Sequence, residues 1–382
     1  MQAPPAPRAA TTCVHGSGAA DARNGAVNVP VWASTTFLYP ELADGSPAPY
    51  IYGRYANPTV EAVERKVAAL EGAGACLLFG SGLAAVHATV LALVRPGQTV
   101  AVQQGVYGGT VALLQEELAP LGIRVQGFDA HDARLRLPAG TALVWMESVT
   151  NPLLRVADVP AWAEAAHDVG ARLAVDATFA SPVLQRPLSL GADVSVHSGT
   201  KYLGGHSDVM AGSVACSAEL REPLWQRRRN LGAVLDPFAA FLLDRGMKTL
   251  ALRVRQHTAN AAALAEEAAR LPAVRAMHYP GAASHPDHHV AKRLLDGSGG
   301  MLTLDLGTAE QAVAFRRRLQ VFQPAASLGG VESLASLPAE TSHAYMGADA
   351  RRALGIGDGL VRLSVGIEDV EDLRADLRRA AA

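Results

Sequence analysis

Short apolar runs alternate with longer stretches of helical periodicity between about residues 75 and 236. The runs have the length of buried strands, and in the stretches between them apolar residues recur at spacings of three and four. This alternation predicts an α/β fold, with a largely parallel sheet and helices on both of its faces. The predicted strands are 75–79, 99–102, 125–128, 142–147, 172–176 and 193–197, and the predicted helices include 82–93, 110–118 and 159–169.

The two ends of the chain follow other patterns. Residues 1–55 have no sustained periodicity and are rich in glycine, proline and serine, so we expect an arm that is either disordered or laid across a partner. Residues 237–382 mix helices and strands without the central alternation, which indicates a smaller α+β domain after a large domain at 56–236. The predicted C-terminal elements are helix 238–271, strand 301–306, helix 309–319, strand 360–365 and helix 370–379.

Composition narrows the class of protein. The chain has 382 residues, 49% of them hydrophobic and 18% charged, and this length favours two domains over one core. The net charge of -2 gives no indication of a nucleic-acid or membrane-surface protein. Stretch 73–94 is uncharged, but it contains glycine, serine, histidine and threonine. We therefore interpret it as a buried strand, a turn and a helix, not as a membrane span.

Cysteine usage and the N-terminus indicate the compartment. Cys13, Cys76 and Cys216 are scattered without a CxxC pair, which fits a reducing cytoplasm and argues against a zinc site. Residues 1–12 contain no apolar segment of the kind found in secretory signals. We expect a cytoplasmic protein without a metal.

A lysine just beyond the last predicted strand is the first candidate for chemistry. Strand 193–197 leads through Ser198-Gly199-Thr200 to Lys201, and Gly204-Gly205 follow. The chain has only three other lysines, and arginine supplies most of its basic charge. An enclosed lysine loses solvation, which lowers its pKa and makes a neutral amine available for a Schiff base. On this motif alone, an ordinary surface lysine stays an open alternative.

Two further groups fall at strand ends of the same predicted sheet. The turn at residues 80–85 (Gly-Ser-Gly-Leu-Ala-Ala) follows a strand and opens a helix, whose first N–H groups can bind phosphate. Asp176 ends strand 172–176, about one αβ unit before Lys201. Ligands of parallel sheets bind at the carboxyl ends of the strands, so we expect the three groups to meet. An amine, an acid for a ring nitrogen and a phosphate turn are what pyridoxal 5′-phosphate requires.

Two alternatives come from other classes of protein. The turn at 80–85 formally matches a dinucleotide-binding motif, but the acid expected about 20 residues later is missing. An NAD-dependent oxidoreductase is therefore the weaker interpretation. The cluster His285-Pro-Asp-His-His289 could indicate a metal-binding or scaffold protein. Because it lies outside the predicted sheet, we interpret it as a solvated loop.

A series of motifs between about residues 34 and 368 resembles the Cys/Met metabolism (transsulfuration) family of pyridoxal phosphate enzymes. That family includes cystathionine γ-synthase, cystathionine γ-lyase and methionine γ-lyase. The motifs are Tyr52-Gly-Arg-Tyr-Ala-Asn-Pro-Thr59, Ser81-Gly-Leu83, Tyr107-Gly-Gly-Thr110, Glu147-Ser-Val-Thr-Asn-Pro152, Asp176-Ala-Thr-Phe179, Ser198-Gly-Thr-Lys-Tyr-Leu-Gly-Gly-His-Ser-Asp208, Ser327-Leu-Gly-Gly-Val-Glu-Ser-Leu334 and Arg362-Leu-Ser-Val-Gly-Ile-Glu368. The resemblance implies an aminotransferase-like fold of type I, in which residues 56–236 bind the cofactor.

The resemblance also implies roles at the cofactor. Lys201 would hold it covalently and shuttle protons, Asp176 would pair with the ring nitrogen, and Tyr107 would stack on the ring and act as a base. The residues implied to bind the phosphate are Gly82, Leu83, Ser198 and Thr200, together with Tyr52 and Arg54 from a neighbouring subunit. This sharing implies a homotetramer built from dimers with common active sites, and it would explain the irregular arm.

On the substrate side, the resemblance implies that Arg362 binds the α-carboxylate through a bidentate pair, with Asn151 and Ser327 helping to place it. One neighbour of the cofactor site departs from the family pattern. Ala177 stands where asparagine is usual after the aspartate, which removes a possible hydrogen bond.

Three positions of the expected substrate pocket also depart from the pattern. Relatives that handle cystathionine usually carry an acid, an arginine and an acid where this chain has Ile51, Ala112 and Ala326. An apolar pocket would leave the charges at the far end of cystathionine unpaired, which is unfavourable. We therefore expect γ-elimination of L-methionine to 2-oxobutanoate, ammonia and a thiol. Against methionine, its γ-lyases often have a cysteine where this chain has Gly109. The alternatives are cystathionine γ-lyase, cystathionine γ-synthase and a homoserine-ester sulfhydrylase.

Overall fold

The computed structural model describes residues 7–18, 24–42, 44–131 and 137–382. Part of the predicted arm therefore lies outside the described residues. The described chain contains a sheet of seven strands and a sheet of four. None of its helices within these ranges is long and apolar enough to cross a membrane.

The seven-stranded sheet confirms the predicted α/β architecture. Its strands are β1 (Ala75–Phe79), β2 (Thr99–Gln103), β3 (Arg124–Phe128), β4 (Thr141–Glu147), β5 (Arg172–Asp176), β6 (Val194–Ser198) and β7 (Gly212–Cys216). Their order across the sheet is β1-β7-β6-β5-β4-β2-β3. The neighbours from β6 through β3 are parallel, as predicted, and each of the six predicted strands forms within one residue of its expected bounds.

Strand β7 is the one that the sequence pattern did not predict. It lies between β1 and β6 and is antiparallel to both. Its residues Gly-Ser-Val-Ala-Cys are small and all buried, so they carry neither a strong apolar run nor an alternation with polar residues. Its first residue, Gly212, lies opposite Phe79 in β1 and Ser198 in β6.

Helices cover both faces of this sheet. In the N-terminal and central parts of the chain they are α1 (Ala9–His15), α2 (Pro58–Glu71), α3 (Gly82–Leu93), α4 (Gly108–Ala112), α5 (Val159–Asp168), α6 (Ser181–Leu184) and α7 (Ala218–Leu231). Helices α3 and α7 pack on one face, and α2 and α5 pack on the other. Helix α1 lies within the predicted arm, packs against α2 and buries Cys13, so this segment is ordered on its own chain, whereas the contact of the arm with a partner stays a prediction.

The side chains of β4 show how the sheet sorts its residues. Trp145 packs on the α3 face, whereas Val144 and Met146 pack on the α5 face, because successive residues of a strand point to opposite sides. All three are fully buried, and burying a side chain of valine or methionine size contributes about 1.5–3 kcal/mol. The same alternation places Glu147, the last residue of β4, on the α3 face.

Two helix predictions were wrong in their extent. The predicted helix 110–118 is the short α4 followed by a π-helical turn at Leu113–Leu118. The predicted helix 238–271 is divided into α8 (Pro237–Met247) and α9 (Leu250–Ala268). At this break, the buried guanidinium of Arg253 donates to the carbonyl oxygen of Gly246 at 2.9 Å. The side chain thus satisfies a carbonyl that a continuous helix would bond internally.

The C-terminal sheet has four antiparallel strands in the order β10-β11-β9-β8, with bounds β8 (Ala276–His278), β9 (Met301–Asp305), β10 (Leu334–Ser336) and β11 (Leu360–Ser364). The remaining helices are α10 (His288–Leu294), α11 (Ala309–Arg318), α12 (Ala348–Ala353) and α13 (Val370–Ala381). Apolar residues of α9, α11 and α13 share one core with this sheet. The sequence pattern predicted β9, β11, α11 and α13, whereas the three-residue strands β8 and β10 were missed. The domain boundary at residue 237 stays a prediction.

The cluster at 285–289 is not the solvated loop that we expected. Asp287 is buried and accepts hydrogen bonds from Nε and Nη2 of Arg155 at 2.6 and 3.0 Å and from the N–H of Val156 at 3.0 Å. His285 is buried as well, and α10 begins at His288. The aspartate joins the C-terminal part of the chain to the loop after β4. Within the described ranges, no three His, Cys, Asp or Glu side chains are grouped to hold a metal ion.

Candidate active site

The carboxyl ends of β4, β5 and β6 form one edge of the large sheet. Their last residues are Glu147, Asp176 and Ser198, and Glu147 lies directly opposite Asp176 in the parallel register. Lys201 follows three residues after the end of β6. A cavity of about 760 Å³ adjoins this edge. Its wall is formed by Ser81, Gly82, Leu83, Val86, Tyr107, Thr110, Glu147, Val149, Asn151, Asp176, Thr178, Phe179, Ser198, Thr200, Lys201, Met210, Ala326, Ser327, Leu328, Thr341, Ser342 and Arg362.

Lys201 is partly buried in this cavity. Its Nζ donates a hydrogen bond of 2.7 Å to Oγ of Ser327. Burial, and to a lesser degree the positive charge of Arg362, lower the pKa of Lys201 to about 8. At pH 7 about a tenth of this amine is therefore unprotonated, far more than for an exposed lysine, and the unprotonated form is what a nucleophile or base requires. Ser327 has a positive φ of 86°, a conformation that costs a non-glycine residue roughly 1–2 kcal/mol.

Asp176 is held by the residue two positions after it. The N–H and the Oγ1 of Thr178 both donate to Asp176 Oδ1, at 2.9 and 2.5 Å. Burial raises the pKa of Asp176, and these two hydrogen bonds oppose that effect because they stabilise the ionised carboxylate. Oγ1 of Thr178 also accepts the N–H of Ser198 at 2.8 Å, which joins the ends of β5 and β6. Thr178 thus supplies the support that we expected Ala177 to leave missing.

The turn between β1 and α3 presents free N–H groups to the cavity. Oγ of Ser81 caps α3 by accepting the N–H of Ala84 at 3.1 Å. Gly82 and Leu83, whose N–H groups have no acceptor within the helix, line the cavity wall. A Cβ atom at Gly82 would lie 2.9 Å from Cβ of Ser198, so glycine allows the turn to approach the end of β6.

Gly212 and Thr200 also lie beside the turn that follows β1, and contacts with their neighbours fix both positions. A Cβ atom at Gly212 would lie 2.1 Å from the carbonyl oxygen of Ser81, so this strand residue must also be glycine for the turn to cross β7. Oγ1 of Thr200 accepts the N–H of Ala211 at 3.1 Å. The structure therefore brings together Gly82, Leu83, Ser198 and Thr200, the four residues of this chain that were predicted to bind phosphate.

Tyr107 stands at the mouth of the cavity with about half of its side chain exposed. Its N–H donates to Oε1 of Glu147 at 2.6 Å. It immediately precedes α4, in the loop that leaves β2 at the same edge of the sheet.

Arg362 reaches the cavity from β11 of the small sheet. It is buried, and it donates from Nη1 to Oδ1 of Asn151 at 3.0 Å and from Nη2 to the carbonyl oxygen of Ser327 at 2.9 Å. Burial lowers the pKa of Arg362 to about 10, so it remains a cation at neutral pH. Arg362, Asn151 and Ser327 are thus contiguous, and the site spans both sheets.

The structure does not bring every predicted residue to the cavity of this chain. Ile51, Tyr52 and Arg54 are exposed on its surface, and Arg54 donates to the carbonyl oxygen of Arg229 at 3.1 Å. Their action on a neighbouring subunit stays a prediction. Ala112 is not among the residues that line this cavity, so its role in shaping the pocket stays a prediction. Residues two positions apart point about 200° apart on a helix, and in α4 the inward position belongs to residue 110.

Sequence reasoning gave no role to several side chains of the cavity wall, among them Met210, Thr341 and Ser342. Met210 precedes β7, while Thr341 and Ser342 lie in an irregular loop after β10. Neither segment has a periodicity that could have indicated its position. The two hydroxyls show that the pocket is less apolar than Ile51 and Ala326 suggested.

The residues present fit pyridoxal phosphate. The unused N–H groups at the start of α3 and the hydroxyls of Ser198 and Thr200 suit its phosphate. The buried carboxyl of Asp176 suits a protonated ring nitrogen, and the amine of Lys201 suits its aldehyde. This site at the carboxyl edge of a mostly parallel sheet defines the class: an aminotransferase-like pyridoxal phosphate enzyme of fold type I. The alternative of an NAD-dependent oxidoreductase is thereby excluded.

Comparison with known proteins identifies the family. The family described as Cys/Met metabolism PLP-dependent enzyme matches residues 10–382, and the chain belongs to it. Cystathionine gamma-lyase of Bacillus subtilis is 42% identical over 97% of this chain and 98% of its own. Cystathionine beta-lyase of Lactococcus lactis is 43% identical over 97% and 98%, and cystathionine gamma-synthase of Mycobacterium tuberculosis is 42% identical over 97% and 96%. Such equal identities establish a pyridoxal phosphate enzyme of transsulfuration without selecting one reaction.

Solved structures give the same family. CalE6 from Micromonospora echinospora, described as a cystathione gamma lyase, superposes with a TM-score of 0.93 at 44% identity, covering 98% of this chain and 99% of that one. A second structure, of apo CalE6 described as a methionine gamma lyase, gives a TM-score of 0.90 at 43% identity and covers the same shares.

Proposed function

We propose that this protein cleaves the Cγ–S bond of a sulfur amino acid by γ-elimination, with L-methionine as the preferred substrate. The balanced reaction consumes methionine and one water and yields 2-oxobutanoate, ammonia and methanethiol. The carbon–sulfur bond breaks, sulfur leaves as the thiol, and the water supplies the oxygen of the keto acid. No external oxidant or reductant is needed.

Proton transfer falls to Lys201. Bound pyridoxal phosphate supplies an electron sink for the negative charge that deprotonation leaves on the substrate. The amine of Lys201 would accept and return protons at Cα and Cβ of the substrate. Its lowered pKa suits this role, because an amine with a pKa of about 8 can both accept and return a proton near neutral pH. Asp176 would pair with a protonated ring nitrogen, and Tyr107 would cover the ring.

The substrate carboxylate would be bound by Arg362. Its guanidinium can form two parallel charge-assisted hydrogen bonds with a carboxylate. The contacts with Asn151 and Ser327 fix the plane of the guanidinium before the substrate arrives. Ser327 also accepts from Lys201, so the carboxylate site and the proton-transferring amine share one neighbour.

The observation that carries the choice of methionine is the set of ionisable side chains around the cavity. In the described part of the wall these are Glu147, Asp176, Lys201 and Arg362. Asp176, Lys201 and Arg362 have places in binding the cofactor or the α-amino-acid end of the substrate, and Oε1 of Glu147 accepts the N–H of Tyr107. Ala326 lines the wall beside Ser327 and offers no charge. The distal ammonium and carboxylate of cystathionine would therefore lose water without gaining an ionic partner from this chain.

Cystathionine is the second candidate. The hydroxyls of Thr341 and Ser342 line the cavity and can hydrogen-bond a polar substrate end. Relatives at 42–43% identity are a cystathionine gamma-lyase, a beta-lyase and a gamma-synthase. Cleavage of cystathionine, or its formation from an activated homoserine, would use the same Lys201 and Arg362.

The assembly is part of the proposal. We propose a cytoplasmic homotetramer of dimers in which Tyr52 and Arg54 of one subunit contact the cofactor phosphate of the next. Both residues are exposed in the single chain, where Arg54 stacks against Tyr52 and Tyr55 with centroid distances of 5.5 and 5.2 Å. Ile51, exposed beside them, would then contribute to the neighbour's pocket.

A substrate panel tests the proposed reaction. Purified protein with the cofactor bound is given L-methionine, cystathionine or an O-acylhomoserine with a thiol, and keto acid, thiol and ammonia are measured. We expect the highest kcat/KM for 2-oxobutanoate release from methionine. A higher kcat/KM for cystathionine would contradict the choice of substrate, and release of pyruvate would indicate β-elimination.

A charge introduced at position 326 sharpens this test. Ala326→Glu provides a partner for a distal ammonium, and Ala326→Gln is the neutral control of equal size. One charge-assisted hydrogen bond contributes about 1.5–3 kcal/mol, so the cystathionine-to-methionine ratio of kcat/KM should rise roughly 10- to 100-fold with glutamate only. An equal rise with glutamine would show that size, not charge, sets the preference.

The cofactor attachment is tested at Lys201. The purified protein should show the visible absorbance of covalently bound pyridoxal phosphate, and Lys201→Ala should abolish both this band and turnover. Lys292→Ala, at an exposed position, is the matched control and should retain both. An unchanged band in Lys201→Ala would refute the attachment site.

A further inference from the structure

Glu147 is a buried acid at the active-site edge of the sheet, and it has no role in the proposed reaction. It ends β4 and lies opposite Asp176 in register, so both side chains project on the α3 face of the sheet. Only 6% of Glu147 is exposed. A carboxyl group is costly to bury, so a residue of this type at such a position requires a physical reason.

The contacts of Glu147 point to Tyr107. Oε1 accepts the N–H of Tyr107 at 2.6 Å, and the backbone N–H of Glu147 itself donates to Oε1 of Gln103 at 2.8 Å. Gln103 ends β2, so these bonds connect β4 to both ends of the loop that carries Tyr107. Oε2 of Glu147 is buried and has no hydrogen-bond partner among the residues that the structure describes.

The loop needs such an anchor. Tyr107 is followed by Gly108 and Gly109, which restrict the backbone less than other residues. The Tyr107 side chain is half exposed, so packing alone does not fix it. The ring of Tyr345 lies against Gly108, where a Cβ atom would approach its Cε1 to 2.0 Å. The hydrogen bond that the Tyr107 N–H donates to Glu147 thus holds the backbone just before the pair of glycines.

The charge of the pair resides on Asp176. Oδ1 of Asp176 accepts both the N–H and the hydroxyl of Thr178, whereas Glu147 accepts backbone N–H groups and no hydroxyl or cation. Burial, and next the neighbouring Asp176, raise the pKa of Glu147 well above its usual range, although the N–H groups of Tyr107 and Asn151 oppose this. Two carboxyl groups in one dry site cannot both ionise at neutral pH. Glu147 is therefore the one that keeps its proton.

We propose that Glu147 is a positioning residue that holds Tyr107 over the cofactor ring and does so as an uncharged hydrogen-bond acceptor. The inference rests on the proposed role of Tyr107 at the ring. It differs from the role of Asp176, which must be charged. A neutral carboxylic acid accepts the Tyr107 N–H without placing a second negative charge beside the ring nitrogen.

Variants of equal shape separate the acceptor from the charge. Glu147→Ala removes the acceptor and should lower kcat/KM about 10- to 100-fold, since an unpaired buried N–H costs about 1–3 kcal/mol. Glu147→Gln keeps an acceptor oxygen without a titratable proton and should restore most of that loss. Glu147→Leu fills the volume without an acceptor, so its kcat/KM should fall as far as that of Glu147→Ala. It replaces Glu147→Ala in the test if the alanine variant does not fold.

Three readouts identify positioning through Tyr107. The visible circular dichroism of the bound cofactor should change in Glu147→Leu and return in Glu147→Gln. In a Tyr107→Ala background, Glu147→Leu should cost less than threefold, because the group that it positions is gone. The acid limb of the pH profile should stay in place in Glu147→Gln, whereas loss of a real negative charge beside Asp176 would move it to lower pH.

Two results would overturn the proposal. If kcat/KM falls as far in Glu147→Gln as in Glu147→Leu, the charge of Glu147 is needed. If the losses in kcat/KM from Glu147→Leu and Tyr107→Ala are fully additive, Glu147 does not act through Tyr107. All activities are measured on whichever substrate the unaltered protein converts fastest. A failure of methionine as the substrate is therefore distinguished from a failure of this inference.

Discussion

The hydroxyl of Thr178 should set the pH range in which this protein works. Thr178→Val removes the hydrogen bond of 2.5 Å to Asp176 and leaves the backbone bond of 2.9 Å in place. A hydrogen bond to a charged group contributes about 1.5–3 kcal/mol. One pKa unit corresponds to 1.36 kcal/mol, so the pKa of Asp176 should rise by about one to two.

The direction follows from which form is active. Asp176 must be ionised to keep the ring nitrogen protonated, so activity falls as the pH falls through its pKa. A raised pKa therefore moves the acid limb of the profile of kcat/KM to higher pH, by about one to two pH units. The measurement is kcat/KM against pH, together with the cofactor absorbance over the same range.

Thr178→Ser is the matched control. It keeps the hydroxyl, and with it the bond to Asp176 and the acceptor for the N–H of Ser198. Its acid limb should stay where it is in the unaltered protein. An unmoved limb in Thr178→Val, or an equal movement in both variants, would refute the assignment of this hydrogen bond.

Two further predictions concern binding and stability. Arg362→Lys keeps the charge but loses the bidentate geometry, so kcat/KM should fall roughly 100-fold or more. The control Arg378→Lys, on the surface helix α13, should change kcat/KM little. Similar kcat/KM values for the two variants would contradict the assignment of Arg362 to the substrate carboxylate. Asp287→Ala leaves the N–H of Val156 unpaired and should lower the free energy of unfolding by about 2–4 kcal/mol in chemical denaturation. Asp349→Ala removes an acid that is 98% exposed and should have almost no effect, so equal losses would contradict the buried role of Asp287.

The sequence pattern was most informative where burial dictates it. Strands β1, β2, β4, β5 and β6 are buried along most of their length and are bounded by turns, so their apolar runs show directly, whereas β3 is largely exposed. Strand β7 escaped because its small residues pack between two neighbours without adding an apolar run. The break between α8 and α9 escaped for another reason. The Arg253 side chain that satisfies Gly246 belongs to the following helix, and no local pattern reveals such a contact.

The site was predictable where one residue type carries the chemistry. The sequence pattern indicated Lys201, Asp176 and the turn at Gly82, because they follow predicted strands or contain glycine. The pattern did not indicate the roles of Thr178 and Glu147, because these residues act through hydrogen bonds to other residues. Such hydrogen bonds depend on strand register and distance, which the sequence does not show. Their positions were visible in the sequence, but their partners were not.

The glycine at the start of β7 has a consequence for redesign of this enzyme. Gly212 lies between Phe79 and Ser198 in register, and the turn after β1 crosses directly above it. Strands lie about 4.8 Å apart, so β1 and β6 are separated by roughly 10 Å, and the turn can bridge that gap only over a residue without a side chain. Libraries that diversify the pocket should therefore leave positions 82 and 212 unchanged. Gly82 and Gly212 matter because they have no side chain, so a choice of positions based on side chains that line the cavity would not reveal their role.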